Sequence, residues 1–140
     1  MLPKNYKSLN PLEKETLLRG FFISIAISRG FLPATPEYDD GIDIVLIDRK
    51  STPHKSYLTQ LKSRLTLDHK YYGKGFWIGF IDNPSGVWYF LEYDSLEKII
   101  LQASNVRNTE SWRLNKRHSQ GKLSARRKEL LKKHIFAHQT

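Results

Sequence analysis

Two short apolar stretches, each interrupted by polar residues at set places, constrain this chain most. The first is Gly41-Ile42-Asp43-Ile44-Val45-Leu46-Ile47, and the second is Ser56-Tyr57-Leu58-Thr59-Gln60-Leu61-Lys62-Ser63. Both are too short and too rich in β-branched and aromatic residues for helices. Thr52-Pro53-His54-Lys55 between them carries turn chemistry, so the pair predicts two neighbouring β-strands. Side chains alternate along a strand. Gln60 and Lys62 therefore share a face, roughly 6–7 Å apart, while Leu61 points to a core. Cross-strand pairing brings Asp43 within reach of both.

The residue types suggest chemistry. A hard divalent cation takes oxygen ligands: a carboxylate, carbonyl oxygens, water and substrate phosphate. Asp43 supplies the carboxylate and Gln60 an amide carbonyl, and Lys62 adds a cation that can orient water or stabilise charge developing on phosphate. The expectation is that Asp43, Gln60 and Lys62 converge on one metal-sized pocket. Each motif alone also fits an ordinary buried strand, and an Asp43–Lys62 structural ion pair is the alternative.

The arrangement resembles the PD-(D/E)XK nuclease superfamily, which has the restriction-endonuclease-like fold. Gly41-Ile42-Asp43 matches the first motif, and Gln60-Leu61-Lys62 answers (D/E)-x-K with Gln in the acidic position. The resemblance covers about residues 11–103. It implies an α/β (α+β) domain with an αβββαβ core, a central mixed sheet flanked by helices. It also implies Asp43, Gln60 and Lys62 as catalytic residues, with Mg²⁺ or Mn²⁺ held by Asp43 and Gln60. The function implied is a metal-dependent endodeoxyribonuclease hydrolysing phosphodiester bonds. Duplex cleavage would favour a homodimer, whose two-fold axis matches that of the duplex. The alternative is a weakly active or inactive nucleic-acid-binding module on the same fold, since one negative charge is missing from the second motif.

The remaining elements follow along the chain. Asn10 as N-cap, Pro11 and Glu13 open a helix over 11–29, with Leu18, Phe21, Phe22 and Ile25 on one face and Gly30 as its stop. Glu15 borders that face. Members of the resembled family place a helix-one Glu near the metal, which makes Glu15 a fourth catalytic candidate; the alternative is a solvent-facing partner of Arg19 at i,i+4. Residues 31–38 read as a Pro-containing edge strand or loop. Asp39 and Asp40 read as turn residues with a lesser chance of enriching the site's charge. Residues 65–72 are where the family order wants a helix. Strands are expected over 74–82 and 87–93 around the turn Asn83-Pro84-Ser85-Gly86, then a helix to Leu101.

Charge is distributed unevenly. The net charge is +9, yet residues 1–106 carry 13 Lys/Arg against 12 Asp/Glu, and residues 107–140 carry 10 against 2. Such a concentration suits polyanions through phosphate contacts and counterion release. Arg113, Lys116, Arg117, Arg126, Arg127 and Lys128 are the candidate nucleic-acid contacts, and the partner expected is DNA, with RNA as an alternative. A helix is expected over 124–134. The domain reading is a nuclease-like core over 1–103 and a basic helical extension over 104–140 packed on it. His134 and His138 at i,i+4 lack the glutamate of a zincin helix.

The chain has no cysteine, so no disulfide or thiolate site forms. No apolar run approaches a membrane span. The opening residues lack the layout of a secretory leader, and the expected location is cytoplasmic.

Overall fold

In a computed structural model, residues 2–37 and 40–138 are described. They form two compact units, Leu2–Leu61 and Lys62 onward. The fold class is mixed α and β, as expected.

The first unit opens with helix α1, Pro11–Ser28. Its start is the capping box that the sequence spells. Asn10 Oδ1 accepts from Glu13 N at 2.8 Å, and Glu13 Oε1 accepts from Asn10 N at 3.0 Å. Leu18, Phe22 and Ala26, spaced four apart, form its buried stripe. The helix ends at Gly30, whose φ of +90° suits glycine; a Cβ there would lie 2.6 Å from the Lys50 side chain. Strands β1 (Phe31–Ala34), β2 (Ile44–Asp48) and β3 (Lys55–Lys62) follow. β1 pairs antiparallel with β2, and β2 with β3, in the register Ile44 opposite Thr59. Ile44 and Leu46, buried, alternate with partly covered neighbours, the pattern of a strand with one face on a core. Tyr38 and Asp39, read above as strand end and turn, lie outside the described residues.

The second unit begins with β4, Leu65–Asp68, and a 3-10 turn, His69–Tyr71. This corrects the helix sought over 65–72. Leu65 and Leu67 alternate with Thr66 and Asp68, which is strand periodicity, and only the buried leucines face inward. β5 (Trp77–Asp82) and β6 (Val87–Glu92) form the expected hairpin, followed by α2 (Tyr93–Ala103). The core here is aromatic-rich: Phe80 and Trp88 are fully buried, and Tyr89 stacks on Phe80 at 5.1 Å.

Residues beyond 103 are not the purely helical extension that charge and periodicity suggested. They comprise α3 (Glu110–Asn115), β7 (Arg117–Gln120), α4 (Ala125–Leu131), a 3-10 turn (Lys132–His134) and β8 (Ile135–His138). β7 pairs antiparallel with β4, and β8 with β6. The second unit therefore completes two of its ladders with segments from after residue 103. Four-residue strands carry little periodicity of their own, and the partner ladder decides them. Buried Asp82 adds a pin: its Oδ1 accepts from Leu123 N at 3.1 Å and its Oδ2 from Ser85 Oγ at 2.6 Å. Among the described residues no helix is long and apolar enough to cross a membrane.

Candidate metal centre and basic surface

Gly41, at a φ of +82°, turns the chain into Asp43 and β2. Asp43 lies at the bend just before the strand, and there the regular ladder changes. Asp43 N donates to Thr59 O at 2.9 Å, while Asp43 Oδ2 accepts from Leu61 N at 2.8 Å. The carboxylate thus takes the place of a main-chain acceptor, and the main-chain and side-chain bonds of Asp43 together bracket Gln60. Gln60 Oε1 is buried and has no hydrogen-bond partner; among the described residues the other such side-chain atom is Arg19 Nε. An amide oxygen withheld from water without a donor costs about 1–3 kcal/mol. It is the neutral oxygen donor that a hard cation accepts.

A cavity of about 220 Å³ in the same unit is lined by Glu15, Arg19, Thr35, Pro36, Glu37, Ile42 and Asp43. Helix α1 contributes Glu15 and Arg19 one turn apart, and the approach to β2 contributes Asp43. Glu15 lines the cavity with Asp43, and its Oε1 accepts from the Arg19 guanidinium at 3.2 Å, the i,i+4 partnership weighed for it. Glu37 joins as a third carboxylate. No motif marks it, because it lies in a loop whose course the local sequence does not specify. Among the described residues, no three Asp, Glu, His or Cys side chains cluster closely enough to hold a metal by themselves. Of the two residues expected to hold a metal, Asp43 lines this cavity and Gln60 is not among its lining residues.

Lys62 is the last residue of β3, two on from Gln60 and of the same parity in the strand. It opens the second unit, where its Nζ lies 5.8 Å from the centre of the Tyr71 ring.

The six basic candidates divide by environment. Arg117 Nε pairs with Asp68 Oδ2 at 3.2 Å, and Lys128 Nζ lies 3.8 Å from Asp82 Oδ2. The Arg127 guanidinium donates to Gln120 Oε1 and meets His118 Nε2 at 3.1 Å. Burial, then the Arg127 charge, holds His118 below the ordinary imidazole range. These three cations have internal partners. Arg113, Lys116 and Arg126 are exposed, with Lys116 Nζ 5.9 Å from the Trp112 ring. His134 closes a 3-10 turn and His138 ends β8, so the two do not share a helix.

One polar cluster went unread in the sequence. Glu97, buried on α2, faces His69 Nδ1 at 2.9 Å and accepts from Tyr93 Oη at 2.9 Å. Tyr93 Oη in turn accepts from Asp68 N at 2.8 Å. Burial and then the Glu97 charge raise the Tyr93 phenol far above its usual range, so it stays a donor. The His69–Glu97 separation of 28 residues left no local signal.

Compared with protein-family models, curated proteins and solved structures, the chain has no significant match in any of the three.

Proposed function

We propose that this protein is a metal-dependent endodeoxyribonuclease of the PD-(D/E)XK type, with Asp43 and Gln60 as its metal-binding pair. The observation that carries the proposal is the unpartnered, buried Gln60 Oε1, set between the two residues that hydrogen-bond Asp43. Evolution of a merely structural strand has no use for that cost, whereas a cation ligand does.

Within this reading each residue has a defined task. Asp43 and Gln60 would hold Mg²⁺ or Mn²⁺, which would supply Lewis acidity at a phosphodiester oxygen. Leu61 N–H fixes one Asp43 oxygen, so the carboxylate is oriented before any ligand arrives. Glu15 lines the cavity beside Asp43, where it can hold a water by hydrogen bonding. Lys62 is assigned the positioning of the attacking water and the stabilisation of charge on the phosphate. A homodimer would supply the second cut of a duplex.

One observation favours the rival reading, a nucleic-acid-binding module that does not cut: among the described residues no three acidic or histidine side chains form a metal cluster. One experiment separates the two. Calorimetric titration with Mn²⁺ and a plasmid-nicking assay are run on wild type and Asp43→Asn. Metal uptake with nicking in wild type, and neither in the variant, is the expected result. Plasmid binding with no Mn²⁺ uptake would leave the binding module.

A further inference from the structure

The second unit carries a chain of cations laid over aromatic rings, and three of its members were not among the basic residues that the sequence nominates. Lys62 Nζ and Lys70 Nζ lie 5.8 and 5.1 Å from the centre of the same ring, Tyr71. The next residue but one from Lys70 is Tyr72, and Lys98 Nζ lies 6.0 Å from its ring. His69 stacks on Tyr72 at 5.2 Å and meets Trp112 edge-on at 6.0 Å, and Lys116 Nζ lies 5.9 Å from the Trp112 ring. Lys62 and Lys70 thus share the Tyr71 ring, and Lys98, His69 and Lys116 are linked through Tyr72 and Trp112, all on one compact unit.

From this arrangement we infer that the Lys62–Lys70–Lys98–Lys116 cluster, centred on His69, is a sequence-independent docking surface for the phosphate backbone of duplex DNA. The inference rests on the nuclease reading for its choice of polyanion.

Three features select phosphate rather than bases. Tyr71 is 7% exposed and Trp112 is 4% exposed, so neither presents a face on which an unpaired base can stack. Single-strand binders rely on such open faces. The rings instead act as supports, each holding a cation by attraction to its π-face, about 0.5–1 kcal/mol at an exposed site. Lysine heads held in this way lose less freedom when they meet phosphate. Finally, the nearby carboxylates are engaged inside the unit. Glu97 is buried against His69 and Tyr93; Asp68 is held more closely by Arg117, at 3.2 Å, than by the cluster's own Lys70, at 3.8 Å; Asp94 accepts from Gly73 N at 2.9 Å. His69 is half exposed, with Nδ1 committed to Glu97.

The test compares two double variants that remove the same charge. Lys70→Gln with Lys98→Gln breaks the cluster, and Lys132→Gln with Lys133→Gln alters exposed lysines elsewhere on the unit. Binding of a 20-base-pair duplex is measured from 50 to 200 mM salt in the presence of EDTA, with circular dichroism as the folding check. The cluster pair should lower the log–log salt slope by about 1.8, at roughly 0.9 per lost phosphate contact, and the control pair should leave it within about 0.5. Equal slope changes in the two pairs overturn the surface, as does capture of anionic vesicles in place of duplex, or binding of single strands in preference to duplex. Nicking by the same proteins separates the two readings. A cluster-specific slope change without Mn²⁺-dependent nicking removes the nuclease and keeps the surface, and nicking with equal slopes does the reverse.

Discussion

Replacing Gln60 by leucine should make the protein more stable and remove its response to metal. The magnitude follows from one atom. Gln60 Oε1 is buried with no donor, and an unsatisfied buried carbonyl costs about 1–3 kcal/mol. Leucine has nearly the same volume, so no cavity opens and no overpacking strain is added. Part of the gain is offset by whatever the exposed end of the amide does in water. A net stabilisation of about 1–2 kcal/mol is expected, which for a chain of 140 residues is roughly 4–8 °C in Tm. Metal works in the opposite sense. Mn²⁺ at 100 times its Kd should stabilise wild type by about 2.7 kcal/mol, because it binds only the folded site. Gln60→Leu should lose most of that increment, while Gln60→Glu should enlarge it by adding an anionic ligand. The assay is thermal unfolding by circular dichroism, with and without Mn²⁺. A Gln60→Leu protein that melts below wild type without metal would show that the carbonyl is satisfied in solution. An undiminished Mn²⁺ shift would show that it is no ligand.

Asp43 has a structural task as well as its proposed chemical one, and two substitutions separate them. Asp43→Ala leaves Leu61 N–H without its acceptor and should cost about 1–3 kcal/mol in urea unfolding, whereas Asp43→Asn retains an acceptor oxygen and should cost less than about 1 kcal/mol. Both should abolish Mn²⁺-dependent nicking, and wild-type nicking in Asp43→Asn refutes the assignment. Asn10→Ala removes the capping box of α1 and should cost about 1 kcal/mol, read from urea midpoints. Folding holds His118 below the ordinary imidazole range through burial and the Arg127 charge, so its contribution to stability is present above pH 6.5 and lost as pH falls below it. Urea midpoints at pH 7.5 and 5.5 should therefore differ less in His118→Gln than in wild type; an unchanged difference assigns the acid sensitivity elsewhere, with His134, lowered chiefly by burial, as the next group to test.

Several elements were legible because their causes lie within a few residues. The capping box of α1 spans Asn10 to Glu13, and its buried stripe of Leu18, Phe22 and Ala26 repeats every turn. The β5–β6 hairpin is announced by Asn83-Pro84-Ser85-Gly86 between two aromatic-rich runs. β2 and β3 were readable for the same reason, and pairing them placed Asp43 beside Thr59 and Leu61. The segment over 65–72 was harder. Its leucines at alternate positions argue for a strand, but the resemblance asked for a helix, and the alternation prevailed.

What the chain determined alone was thus the start of α1, the β2–β3 and β5–β6 hairpins, the order of its motifs and the concentration of positive charge after residue 106. Only the tertiary structure decided which of those charges have a partner within the unit. Arg117, Arg127 and Lys128 look alike in sequence to Arg113 and Arg126, yet each is drawn to a partner: Asp68, Gln120 with His118, and Asp82. Lys70 and Lys98 looked unremarkable and instead join Lys62 and Lys116 over Tyr71, Tyr72 and Trp112. The same holds for β7 and β8, which take their hydrogen bonds from β4 and β6, and for Glu97, whose histidine lies 28 residues away. Local conformation follows from backbone sterics and short-range hydrogen bonds. The state of a charge or a lone pair depends instead on which distant group the fold brings within about 3–4 Å of it.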